Sequence, residues 1–297
     1  MAEERNNVTE RPFRFGVGVV GGASRAEWRE KARRAEGLGF DVLQYADHLG
    51  LTSPFPALVT MAEATERVRV GTMVLNAGFY RPALLARDVA SVDLLTDGRF
   101  EFGLGAGPDF AEPEFEAAGL PFPSPRQRID HLRETIGEIR SLFAGEHEPP
   151  VTRRIPLLVA GSGNRLVRTA AEFADIVSLA GVPTDSIDSE QAGINALGER
   201  VEFVRTAAGQ RFAEIEVSLM VQALEMPGLE TPGLAMARMF NPDRSDEQLR
   251  QLPGVLRGSA REIADTLRHY RDSHSVSYFT VTEDNMVAFA KVIEELR

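Results

Sequence analysis

The sequence contains no cysteine. Disulfides, thiol nucleophiles, iron–sulfur clusters and cysteine-ligated zinc are therefore excluded. Lysine is nearly absent, with only Lys31 and Lys291 against many arginines. Both fall in helical segments, which removes Schiff-base aldolase chemistry, since that needs a lysine at a strand end. A basic surplus is missing too. The formal charge is −11 at pH 7, which argues against nucleic acid or an anionic membrane as partner. No apolar run approaches the ~20 residues of a membrane span. The charged start, MAEERNNVTERP, lacks the apolar segment of a signal peptide. The expectation is a cytoplasmic protein with a flexible tail at residues 1–11.

What is present is a regular alternation of strand and helix patterns. At 297 residues and 43% apolar, the chain can fill one α/β barrel of the usual ~250 residues. The stretch 68–107 holds a complete strand–helix–strand unit. Val68–Leu75 reads as a buried strand, and Pro82 suits the first turn of a helix. Leu85, Val89, Val92 and Leu95 recur at helical spacing, and Gly98 closes the helix. Phe100–Leu104 is the next strand, running into Gly105-Ala106-Gly107. A right-handed crossover brings both strand ends to one face.

The rest follows the same plan. Strands are predicted at Phe13–Val20, Phe40–Ala46, Ile155–Ala160, Ala174–Ala180, Ile215–Glu225 and Val276–Val281. Helices are predicted after the capping boxes Ser24–Glu27, Ser124–Gln127 and Ser259–Glu262, and after Ser53-Pro54, Gly163, Ser189 and Asp284. The helix after Ser53 is read as carrying Leu58, Ala62 and Thr65. Between residues 226 and 257 the pattern breaks into a Gly/Pro-punctuated segment around Met236, Met239 and Phe240. It reads as a lid-like insertion between strand 7 and helix 7. Eight strands, each followed by a helix, give an α/β fold, a single-domain (β/α)8 TIM barrel over residues 1–297. An open doubly wound sheet is the alternative, because periodicity does not show closure.

In such a barrel the chemistry lies at the C-terminal strand ends. Of five histidines, His131 and His269 fall in helices, and His147 and His274 in connections. His48 alone follows a strand directly, and Asp47 beside it could orient the ring or tune it. One imidazole is too few for a histidine-rich metal site, so no metal is expected. Glu225 and Glu283 are the acids a glycosidase would need. Gly16-Val-Gly18-Val-Val-Gly21 fits a dinucleotide fingerprint, but its glycines lie inside a strand rather than after it, which suits close packing better. Gly161-Ser162-Gly163 opens a helix and offers free backbone N–H groups to an anion, or is a plain helix start.

The stretches Glu36–Asp41 running to Asp47-His48-Leu49, VGTMVLNAGFYRPALLA, GRFEFGLGAG, LLVAGSGNRLVRTAAEFAD and GSAREIADTLRHYRD follow one another in a known order. In them the chain resembles the luciferase-like monooxygenase superfamily, in its deazaflavin (coenzyme F420) oxidoreductase branch. The resemblance implies a barrel binding F420, or alternatively FMN, at its C-terminal face. It implies that Asp47 and His48 line the cofactor and serve acid–base chemistry, and that Met73, Val74 and Asn76 lie against the ring. It also implies a cis peptide between Met73 and Val74, with a bulge, and a ribityl–phosphate site at Gly105, Ala106, Gly107, Gly161, Ser162 and Gly163. Some deazaflavin dehydrogenases carry a glutamate directly after the Gly-x-Gly turn. Here that position is Pro108, followed by Asp109, which points away from sugar-phosphate dehydrogenation. The implied reaction is hydride transfer to or from a small organic substrate with a conjugated C=C or C=N bond. An FMN-dependent monooxygenase is the alternative, and a homodimer is a possible assembly.

Overall fold

Eight short strands pair in parallel and close on themselves. The computed structural model describes residues 11–182, 187–229 and 231–297; of the tail expected at 1–11, residues 1–10 lie outside them. The strands are β1 (Arg14–Gly18), β2 (Val42–Tyr45), β3 (Arg69–Thr72), β4 (Phe100–Gly105), β5 (Leu157–Gly161), β6 (Ile176–Leu179), β7 (Glu216–Met220) and β8 (Val276–Thr282). Each pairs with its sequence neighbour, and Phe15 opposite Phe279 joins β1 to β8. The ring is complete, so the fold is the (β/α)8 barrel and not the open sheet.

Helices cover the outside because their apolar residues recur on one face. Trp28, Ala32 and Ala35 are buried in helix Arg25–Gly37, and Leu132, Ile136 and Ile139 in helix Pro125–Ala144. Ser124 and Ser259 form reciprocal capping boxes. At the first helix Ser24 accepts from the Glu27 N–H, but the Glu27 carboxylate returns to Ala23 instead. In helix Pro82–Leu95 the buried row is Leu85, Ala86, Val89, Ala90 and Val92, whereas Leu95 is 62% exposed. Val92, Asp93 and Thr96 stay buried at that end, so the buried face runs through Thr96 rather than Leu95. The second helix ends at Ala62, so Thr65 lies beyond it, its hydroxyl donating to the Met61 carbonyl. His274 is the last residue of helix Ala260–His274 rather than part of a connection.

Two strands end earlier than their apolar runs. After Thr72 the third strand is interrupted by the cis Met73–Val74 peptide, and Leu75–Asn76 resumes pairing opposite Leu104 and Gly105. The seventh strand leaves the barrel after Met220. Ala223–Glu225 pairs instead with Val255–Arg257 in a separate two-stranded parallel sheet. The expected continuous strand 215–225 is therefore two elements, since the far end of the 226–257 segment supplies a competing partner. That segment also carries helices Ala235–Phe240 and Asp246–Leu249. Leu249, Leu252 and Leu256 are buried, while Met239 and Phe240 are exposed.

The barrel interior is charged at its N-terminal end and polar nearer the other. Arg14 is ion-paired to both Glu101 and Glu216, and Arg69 Nε lies 2.8 Å from Glu101. Above them Gln44 donates to the Tyr278 hydroxyl at 3.0 Å. Gly16 sits against these groups: a Cβ there would lie 2.9 Å from both Gln44 Oε1 and Thr280 Oγ1. Gly16 thus serves close packing inside a strand, not a dinucleotide turn. Among the described residues no helix is long and apolar enough to cross a membrane.

Candidate active site

The end of β2 delivers Asp47 and His48 to the C-terminal face, and loops from the next two strands hold both. Asp47 accepts from the Asn76 N–H at 3.2 Å and from the Tyr80 hydroxyl at 2.9 Å. Asn76 in turn accepts from the Gly78 N–H at 3.1 Å, which shapes the turn that carries Tyr80. Burial pushes the Asp47 carboxyl above its ordinary range, against the pull of the Tyr80 and Asn76 hydrogen bonds. Burial and the adjacent Asp47 raise the Tyr80 hydroxyl, so it stays a proton donor to that carboxylate.

His48 is held from the other side. Its Nδ1 lies 2.8 Å from Glu114 Oε1, while Glu114 Oε2 accepts from the Leu49 N–H at 2.9 Å. Glu114 stands on the short helix Glu112–Ala117 that follows β4. The Phe110 ring stacks on the imidazole, with centroids 6.3 Å apart. With Nδ1 engaged, the remaining ring nitrogen, Nε2, is the one left for a substrate.

The glycines after β4 position the end of β3. A Cβ on Gly105 would lie 2.6 Å from Val74 Cγ2, and one on Gly107 would lie 2.8 Å from the Asn76 amide nitrogen. Any larger residue would displace Val74 or Asn76, and Gly107 also takes φ +78°, where glycine is favoured. Gly105 and Ala106 are buried, Gly107 is half-buried, and Met73 and Val74 are half-buried beside them. Met73 Sδ lies 3.8 Å from Gln44 Nε2.

At the end of β5, Ser162 and Gly163 are exposed. Gly163 is the N-cap of helix Asn164–Phe173, with no side chain capping it and open space around it. Arg200 holds the turn from beneath, donating to Asn164 Oδ1 at 2.5 Å and to the Ser162 carbonyl. A cavity of about 270 Å³ borders Tyr80 and Ala106, with Phe115, Arg128 and His131 on its far wall.

Other expected strand-end acids do not join this group. Glu225 is chelated by Arg250, with Arg250 Nε at 2.9 Å. Glu283 accepts from the Val20 N–H and pairs with Lys31 at 2.9 Å. Asp109 is exposed and tied to Arg128. Among the described residues no three His, Asp or Glu side chains cluster as metal ligands. Sequence reasoning missed Tyr80, Glu114 and Arg200. Tyr80 stood four residues after Asn76, and Glu114 was one of several acids in a polar loop.

These features define a (β/α)8 barrel whose strand-end face carries a clamped carboxylate–imidazole pair beside a cis peptide. The chain belongs to the luciferase-like monooxygenase family, whose model matches residues 11–225. It is 32% identical to the F420-dependent glucose-6-phosphate dehydrogenase of Intrasporangium calvum, over 48% of this chain and 50% of the relative. It is 25% identical to the 5,10-methylenetetrahydromethanopterin reductase of Archaeoglobus fulgidus, over 55% of this chain and 52% of that protein. The chain thus spans about half the length of the curated relatives it matches. An F420-dependent secondary alcohol dehydrogenase, solved with an F420–acetone adduct, superposes with a TM-score of 0.76. That match has 16% identity and covers 97% of this chain and 100% of the other; it speaks for the fold.

Proposed function

We propose that the protein is an F420-dependent oxidoreductase that moves a hydride between the deazaflavin and a small organic substrate with a conjugated C=C or C=N bond. The observation that carries this reading is the pair Asp47 and His48, each clamped by groups from a different loop. The relatives named for F420 use support the cofactor.

The residues present fit such a group. The exposed, uncapped helix start at Gly163 suits the phosphate part, with Ser162 and Gly161 beside it. Met73, Val74 and Asn76 would wall the flat ring, with Gly105 packed on Val74, Gly107 on Asn76 and Ala106 between them. When bound, F420 supplies hydride chemistry at its C5 carbon without the oxygen reactivity of FMN.

The chain's own groups supply the rest. His48 gives or takes the balancing proton at Nε2, while Glu114 fixes the ring through Nδ1. Asp47, anchored by Tyr80, lines the cofactor side. Val20, Leu49, Leu51 and Phe110 leave exposed apolar surface after β1, β2 and β4, which suits an apolar conjugated substrate. Lys31 and Arg128 are each paired with a carboxylate, and Arg81 lines the cavity beside Tyr80.

Parallel titration with F420 and FMN, followed by fluorescence quenching, tests the reading. Tighter binding of F420 is expected. Preference for FMN would overturn it in favour of an FMN-dependent monooxygenase.

A further inference from the structure

A cavity lies at the other end of the barrel from the candidate active site. Its volume is about 600 Å³, within the usual ~300–1,000 Å³ of small-molecule sites. It opens between the C-terminal half of helix Pro125–Ala144 and the segment that enters β5. Ile136, Ile139, Phe143 and Ile155 supply an apolar floor, together with the outer faces of Phe102 and Leu157.

The polar groups around it are unbalanced. Arg140, Arg153, Arg154 and Arg211 line the cavity, and Asp175 is the one acid among its lining residues. Arg153 is paired with Asp93 and Arg154 with Asp175. Among the described residues the other two donate to backbone carbonyls: Arg140 to Phe173, and Arg211 to Ala171 and Ala174. Four guanidinium groups therefore share two carboxylates, a local excess of positive charge on a chain whose net charge is −11. Arginine does not shed its proton, so the excess persists at any physiological pH. Burial pushes the Arg140 guanidinium down; Asp175 opposes this, and the neighbouring Arg211 and Arg154 add to it. An arriving anion would relieve that repulsion and would find donors already in place.

We propose that this cavity is a second binding site, for an anionic amphiphile. Its aliphatic chain lies on the Ile136–Ile139–Phe143 floor and its carboxylate or phosphate head meets Arg140 and Arg211. Neither feature suffices alone. An apolar cavity without cations would take a neutral ligand, and arginines without the floor would take a small free anion. The site is independent of the cofactor reading, since no residue is shared between the two faces.

Isothermal titration calorimetry on the full chain tests this with decanoate, decyl phosphate, decylamine and acetate. Decanoate or decyl phosphate should bind at one site, and the tighter of the two identifies the head group. Decylamine and acetate should bind at least about tenfold more weakly. The double substitution Arg140→Gln with Arg211→Gln should weaken the anionic ligand by at least about tenfold, the loss of a charge-assisted contact. Should that variant fail to fold, Thr152→Asp places a negative charge at the exposed rim without touching the core and should weaken binding in the same sense. No binding of either anion, equal binding of decylamine, or unchanged affinity in the variants would overturn the proposal. So would sedimentation showing that these substitutions alter self-association while leaving ligand affinity unchanged.

Discussion

His48 Nδ1 and the Glu114 carboxylate meet at 2.8 Å although 66 positions separate them in the chain. The contact fixes the orientation of the imidazole and leaves Nε2 as its unengaged nitrogen. Glu114 also accepts from the Leu49 N–H, so one carboxylate sets both the ring and the backbone that carries it. Pro108 stands directly after the Gly-x-Gly turn, and Glu114, a few residues on, is the acid that reaches His48.

His48→Ala should lower turnover by about 10²–10⁴-fold, the usual weight of a general acid–base group, with F420 affinity changed far less. Glu114→Gln should lower turnover by a smaller factor, because amide and carboxylate share a shape but not a charge. Steady-state kinetics and cofactor titration on both variants check this. Near-normal turnover in His48→Ala would remove the assigned role.

Much of this architecture was legible beforehand, and what was not has a common cause. Strand and helix order follow from local periodicity, and Asp47 and His48 from their place directly after a strand. Tyr80, Glu114 and Arg200 gain their meaning only from contacts between distant segments. Glu114 shares its loop with Asp109, Glu112 and Glu116, and only the turn of helix Glu112–Ala117 decides which of them reaches His48. The early end of the seventh strand was hidden for the same reason, since Val255–Arg257 lies some thirty residues away.

Asp47→Asn separates positioning from charge. Burial raises the Asp47 carboxyl in the folded state, so the native protein holds that proton more tightly than the unfolded chain does. The charged group therefore costs stability as pH rises through its raised value, and the cost vanishes below the ordinary carboxylate range. An asparagine keeps an acceptor for Tyr80 and Asn76 without that cost. The variant should gain stability relative to wild type as pH rises from acid to neutral, while turnover falls less than in His48→Ala. Urea unfolding across that range gives the answer, and a stability difference that does not vary with pH would contradict it.

Arg14→Met probes the closed N-terminal end of the barrel. Burial alone would lower the Arg14 guanidinium, but Glu101 and Glu216 outweigh it and hold it well above its ordinary value. Without Arg14, Glu216 loses its ion-pair partner among the described residues and Glu101 keeps Arg69. Breaking a buried ion network this way costs about 3–5 kcal/mol. Burial already raises the Glu216 carboxyl, and removing Arg14 takes away an opposing pull. The loss should be largest at neutral pH and shrink on acidification, as Glu216 takes up a proton. Thermal unfolding at several pH values checks it; a loss that grows toward acid would refute the sign.

The segment 226–257 is expected to act as a lid rather than as a second domain. Its far end is fixed, because Val255–Arg257 pairs with Ala223–Glu225, Arg250 grips Glu225, and Leu249 and Leu252 are buried. Its middle is anchored through buried Leu234 and Ala237 but opens to solvent beyond them. Helix Ala235–Phe240 is only six residues long, and it turns Met239 and Phe240 to solvent at 55% and 40% exposure. Those two side chains gain the most by covering an apolar ligand, and methionine adapts readily to its shape. Within residues 12–297, limited trypsin digestion should therefore cut first after Arg238 or Arg244, and F420 plus substrate should slow that cleavage severalfold. The alternative is a loop packed permanently on the barrel rim, whose cleavage would not respond to ligand. First cleavage elsewhere, or a rate indifferent to saturating ligand, would assign the segment to that static role.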